Sequence, residues 1–127
     1  MTAEYMPEQE FRMWSLGGLP IVTPPPEIDV GNAEHFGAAL VAAARDHATI
    51  IVDMAATEFC DSSGLGALAM AVRRAQDAGG ELRLVVGSPS VRKVLAVTGL
   101  DSVCVLFDQL PEAIAARDAP APAMDAG

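Results

Sequence analysis

The chain has 127 residues and a formal net charge of −9, from 8 basic and 17 acidic side chains. A surface this acidic repels phosphate backbones and anionic bilayers, so neither nucleic acid nor a membrane surface is an expected partner. No apolar run approaches the roughly 20 residues that span a bilayer.

The length suits one ordinary domain with a real core. Hydrophobic residues make up 51% but aromatics only 5%, so that core is expected to be aliphatic and built of small side chains. The opening Met-Thr-Ala-Glu-Tyr lacks the basic and apolar regions of a signal peptide, which points to a cytoplasmic protein. Cys60 and Cys104 read as small buried hydrophobes rather than a disulfide. With His35 and His47 in unrelated contexts, no metal-ligand spacing emerges, and neither metal nor cofactor is expected.

Residues 1–9 are polar and predict a loose lead-in. Phe11 to Leu16 and Leu19 to Thr23 read as two strands of a hairpin turning at Gly17-Gly18. Pro24-Pro25-Pro26 removes three successive backbone donors and ends the second strand. Glu27 to Gly31 is expected to be a loop leading to a helix with Asn32 as N-cap. Ala33, Phe36, Leu40 and Ala44 form that helix's apolar stripe, to about Asp46.

Thr49 to Asp53 is a β-branched run of the kind a covered central strand shows. After a loop through Ala55, Ala56 and Thr57 comes Phe59-Cys60-Asp61-Ser62-Ser63-Gly64-Leu65-Gly66. Leu65, Leu68, Ala69 and Val72 recur at helical spacing, predicting a second helix from about Ser63 to Ala78, stopped by Gly79-Gly80. Asp61, Ser62 and Ser63 are all good N-cap residues, yet a helix needs only one. Three polar oxygens at a positive helix end are the first sign of function. Gly64 and Gly66 would let a partner's backbone approach that end.

Glu81 to Val86 reads as the next strand, ended by Gly87-Ser88-Pro89. Ser88 can cap a helix with Pro89 in its first turn and Val91, Val94 and Leu95 facing inward, to Thr98-Gly99. Val103 to Phe107 is a last strand, and Asp108 is the expected cap of a helix from Gln109 to about Ala116. The Pro/Ala-rich tail, 118–127, is expected to be disordered. Hairpin, then alternating helices and strands, predict an α/β fold. The expected sheet is mixed but mostly parallel, with about five strands and about four helices.

The central motif, Asp61 to Gly66, resembles the phosphorylation motif of the bacterial anti-sigma factor antagonists, proteins of the STAS fold. Glu27-Ile28-Asp29 is similar to the segment before their first helix, and Gly79-Gly80-Glu81-Leu82 to their turn into the next strand. Pro89 to Leu95 and Thr98-Gly99-Leu100 are similar to their third helix and its end. The resemblance covers about residues 10–117 as one STAS domain. Pro26 departs from it, standing where the family has glycine.

That resemblance implies a regulator, not an enzyme. It would bind an anti-sigma factor with serine kinase activity when unphosphorylated, thereby freeing a sigma factor. Phosphorylation of Ser62, with Ser63 the less favoured position, would break the complex, and a phosphatase would reset it. The implied partner surface is Asp29, Asp61, Ser62, Ser63, Gly64, Leu65 and Gly66. The alternative is a STAS docking subunit of a transporter or signalling assembly that is never phosphorylated.

The chemistry of the motif agrees. A phosphate at a helix start adds about −1.5 to −2 charges where free N–H groups can stabilise it. Asp53 and Asp61 could suggest a phosphate-receiver pocket, but the first strands offer no acidic pair to complete one. No Gly-x-Ser-x-Gly elbow exists for a hydrolase. Asp53 reads as a strand-end carboxylate, Met54 and Met70 as core filler, and Arg73, Arg74, Arg92 and Lys93 as solvated cations.

Overall fold

A computed structural model describes residues 11–117. The expected lead-in, 1–9, and tail, 118–127, lie outside the described residues. In chain order the elements are β1 (Arg12–Leu16), β2 (Leu19–Thr23), β3 (Glu27–Ile28), α1 (Ala33–Ala43), β4 (Ile50–Met54), β5 (Phe59–Cys60) and α2 (Ser62–Asp77). There follow β6 (Leu82–Val86), α3 (Pro89–Thr98), a 3-10 turn at Leu100–Ser102, β7 (Val105–Phe107) and α4 (Leu110–Ala115).

The main sheet has the order β1-β2-β4-β6-β7. β1 and β2 form the predicted antiparallel hairpin, while the β2–β4, β4–β6 and β6–β7 pairs are parallel. Each parallel step needs a crossover, and α1, α2 and α3 supply the three. β3 and β5 pair in a separate two-stranded parallel sheet. The fold class is therefore the mixed, mostly parallel α/β sheet that the pattern predicts.

Strand side chains alternate between two faces, so one run of apolar residues serves two cores. On β4, Ile50, Val52 and Met54 join the larger core, with Phe36 and Leu40 of α1, Leu68 and Val72 of α2, and Leu95 of α3. Ile51 points the other way, with Ile21, Val85 and Ala113, into a smaller core under α4. Arg83 sits in β6 and is 1% exposed. Its Nε donates to Glu81 Oε2 at 2.7 Å, and its Nη1 donates to the Ala113 carbonyl at 2.8 Å, securing α4 to the sheet.

Several local expectations change. Glu27–Ile28 is a strand, not loop, because Ile28 is fully buried and pairs with Cys60. Asn32 occupies the N-cap position of α1 but caps nothing with its side chain. Instead its Oδ1 accepts from the Asp29 N–H and its Nδ2 donates to the Glu27 carbonyl, folding the turn back on β3. α1 ends at Ala43, about three residues short of the expected Asp46. Ala69 and Met70 are exposed rather than core, since α2 turns Gly64, Leu68, Ala71, Val72 and Ala75 inward.

The last strand begins at Val105 rather than Val103, because the Val103 N–H donates to the Leu100 carbonyl at 3.1 Å and closes the preceding turn. Gln109, not Asp108, is the N-cap of α4. Asp108 is drawn away by Arg92, whose Nη2 donates to it at 2.8 Å. The Ser88 cap, with Pro89 beginning α3, forms as expected. Among the described residues, no helix is long and apolar enough to cross a membrane.

Replacing Arg83 by alanine should strand a carboxylate and a buried carbonyl at once. An equilibrium urea titration should show a loss of about 3 kcal/mol, the range for breaking one side of a buried pair.

Candidate functional site

The site is assembled by the two-stranded sheet. Proline carbonyls can accept even though their nitrogens cannot donate. The Glu58 and Phe59 N–H groups donate to the Pro26 carbonyl at 2.7 and 3.2 Å. Thr57 Oγ1 donates to the Pro25 carbonyl at 3.1 Å, satisfying a fully buried hydroxyl. The proline run thus straps the loop after β2 to the loop after β4. The ladder then continues, with Ile28 opposite Cys60 and the Asp61 N–H donating to the Ile28 carbonyl at 3.0 Å.

This register carries Asp29 alongside Asp61, although 32 positions separate them in the chain. Asp29 turns its carboxylate onto its own loop, Oδ1 accepting from the Gly31 N–H at 2.9 Å. Its carbonyl accepts from the N–H groups of Asn32 and Ala33. The half-buried Asp29 is therefore a turn residue held next to the start of α2.

Asp61 alone caps α2. Its Oδ1 accepts from the Ser63 N–H at 2.9 Å and the Gly64 N–H at 3.2 Å. With the cap supplied, Ser62 is the first residue of the helix and is exposed, while Ser63 and Leu65 are half-buried. Two of the N–H groups expected to be free for a phosphate are thus already taken by a carboxylate. A phosphate on Ser62 would sit beside that negative group rather than in an empty cradle.

The two glycines divide their roles. Gly64 is buried, and a Cβ built on it would lie 2.6 Å from both Cys60 Sγ and Ile28 Cγ2. Its missing side chain lets α2 approach β3 and β5 within the chain, not a partner's backbone as expected. Gly66 is exposed, with nothing within 4 Å of its would-be Cβ. The sequence reading did not anticipate Phe59, which is 51% exposed beside the motif. A residue alternating with buried Ile28 and Cys60 in a pairing ladder would have signalled it, had the short strands been recognised.

Both cysteines are free. Burial, with a smaller contribution from the Asp61 charge, pushes the Cys60 thiol up to about 12. Burial and then Asp101 push Cys104 up to about 11. No group of three or more His, Cys, Asp or Glu placed to hold a metal occurs among the described residues.

With the geometry in view, the STAS domain family model matches residues 12–113. No curated protein matches the chain. An anti-sigma factor antagonist from Mycobacterium paratuberculosis is 27% identical, with a TM-score of 0.76 over 86% of this chain and 94% of its own. SpoIIAA, a Bacillus cell fate determinant solved in its phosphorylated form, is 26% identical, with a TM-score of 0.65 over 82% and 96%. The murine anion transporter Slc26a9 shares the fold alone, at 23% identity and a TM-score of 0.63. That match covers 80% of this chain and 18% of the transporter.

Gly64→Ala should destabilise by about 1–3 kcal/mol through overpacking. Gly66→Ala should be neutral or stabilising by up to about 1 kcal/mol, as helix propensity favours alanine at an open position. Thermal unfolding of the two variants side by side checks the contrast. The raised thiols set a pH dependence as well. Between pH 9 and about 12 the folded chain holds protons that the unfolded chain has lost, so stability should fall as pH rises through that window. Urea midpoints from pH 8 to 11 should show the decline, and Cys60→Ala should reduce it, leaving the part due to Cys104.

Proposed function

The chain belongs to the STAS domain family, and from that membership we propose that it is an anti-sigma factor antagonist switched by phosphorylation at Ser62. The observation that carries the reading is the division of labour at the start of α2. Asp61 satisfies the helix end, so Ser62 is left exposed with no structural duty that a described hydrogen bond assigns to it. A serine so placed can enter a kinase cleft without the helix losing its cap. Likeness to the mycobacterial anti-sigma factor antagonist at 27% identity and to SpoIIAA, also an anti-sigma factor antagonist and solved phosphorylated, at 26% supports the same reading.

In the unphosphorylated state the protein would bind an anti-sigma factor that is also a serine kinase, releasing a sigma factor. The partner surface is formed by Asp29, Asp61, Ser62, Ser63, Leu65 and Gly66, with Gly64 acting beneath it. The protein has no catalytic step of its own in this scheme and works in the cytoplasm, and a phosphatase restores the binding state. A like charge at about 6 Å costs roughly 2.8 kcal/mol per unit charge at an effective dielectric near 20. A partner carboxylate facing the phosphate would therefore lose about a hundredfold in affinity per added charge. The adjacent Asp61, already committed to the helix end, limits how far the phosphate can retreat into the cap.

The second reading keeps the surface and removes the covalent step, making the domain a docking subunit of a transporter or signalling assembly. The fold shared with Slc26a9 favours it only at the level of architecture.

Intact mass after incubation with ATP and lysate of the source organism separates the two. One added phosphate is expected on the native chain and none on Ser62→Ala. Phosphate persisting on the variant would move the switch to Ser63. No phosphate, in lysate shown to modify another antagonist, would favour the docking subunit.

A further inference from the structure

α1 and α2 lie side by side on one face of the sheet, each within a crossover between parallel strands, so they run in the same direction. Their seam carries an apolar groove of about 160 Å3. Leu40 and Ala71, both buried, form its floor. Val41 and Met70 stand at its rims, 40% and 61% exposed. At one end the helices touch, since a Cβ built on Gly37 would lie 3.9 Å from the Ala67 Cβ. At the other end is Arg74, exposed and the only charged residue lining the groove. Among the described residues no ion pair engages its side chain.

We propose that this groove binds a small amphiphile, a medium-chain monocarboxylate. Its alkyl tail lies over Leu40 and Ala71 and points toward Gly37, and its carboxylate meets Arg74. Charge gives the head group. The chain carries a net charge of −9, yet the one ionic group on this groove is a cation. Size gives the tail. An apolar cavity of about 150 Å3 takes a benzene-sized molecule. A groove of about 160 Å3 therefore encloses one short chain, not the two of a diacyl lipid. From Gly37 to Ala44 it runs about 10 Å at the helical rise, too short to seat a partner's helix of ordinary length.

Arg74 lies in the last turn of α2, where its charge also complements the helix's carbonyl end. A carboxylate arriving there meets those carbonyls as well as the guanidinium, so binding needs the apolar slot and the cation together. The cation is about 18 Å along α2 from Ser62, which leaves the start of the helix uncovered when the groove is filled. Occupancy is independent of phosphorylation at Ser62.

Full-length protein with isotope-labelled methionine methyls, titrated with octanoate, tests the site by NMR. The Met70 methyl resonance should shift and saturate, while those of buried Met54 and of Met13 on β1 stay in place. By calorimetry, affinity should rise about two- to fourfold for each methylene added between hexanoate and octanoate. Octanol should bind about threefold more weakly than octanoate, the scale of an exposed ion pair. Arg74→Gln should bring octanoate down to the level of octanol. Arg73→Gln, which removes the same charge from an exposed position outside the groove, should not. Met70→Gln, at an exposed position, should weaken both ligands. Equal losses in Arg74→Gln and Arg73→Gln would overturn the proposal, because the surface as a whole would then set the charge effect. Met70 shifts that grow with protein concentration in the absence of octanoate would assign the groove to a second copy instead. A Met70 resonance that never moves, or that never saturates, would overturn the proposal outright.

Discussion

The first turn of α2 can lie against β3 and β5 only because Gly64 presents no side chain to Ile28 and Cys60. That close approach is the constraint on which the site depends. It sets the height of the helix start above the small sheet and hence the orientation of Asp61, whose carboxylate then reaches the Ser63 and Gly64 N–H groups. Ile28 and Cys60 are buried by the same contact, so packing and presentation of the motif are one event. A two-residue ladder is too short to be stable alone. It persists here because α2 covers one side and the proline carbonyls extend its hydrogen bonding at one end.

Electrostatics at this corner have an unusual division. A helix N-terminus ordinarily offers its free N–H groups to whatever anion arrives. In this chain a resident carboxylate already occupies that role. The serine beside it is left exposed and is not needed as the cap. The negative charge of Asp61 and the turn-bound Asp29 also bear on any partner. They favour a partner surface that tolerates two carboxylates.

The rest of the domain serves as a rigid mount. β4 and β6 are covered on both faces, so their apolar runs are continuous rather than alternating with polar residues. The exceptions are Asp53, half-buried near the end of β4, and Arg83, a cation in a fully covered strand. Its pair with Glu81 and its bond to the Ala113 carbonyl hold the lone helix on the second face. The opposite face carries three helices, and α1 and α2 meet there through small residues such as Gly37 and Ala67. Small residues let α1 and α2 approach each other closely, and they leave the shallow groove along the seam.

The sequence by itself determined the hairpin, the three crossovers, the main strands to within a residue or two, and the exposed serine motif. These follow from local physics: two-residue and 3.6-residue apolar periods, proline and glycine punctuation, and cap chemistry acting within a few positions. Only the tertiary structure decided that Glu27–Ile28 pairs with Phe59–Cys60, because a two-residue strand has no period to read. It decided which of three adjacent polar residues caps α2, since all three have the chemistry and the approach angle selects Asp61. It turned Gly64 inward and Gly66 outward, although both are the same residue in the same helix. It also moved Asp108 from a helix cap to Arg92, because a charge 16 positions away in the chain competed with a local role. Properties set by neighbours in sequence were legible, whereas properties set by neighbours in space required the fold.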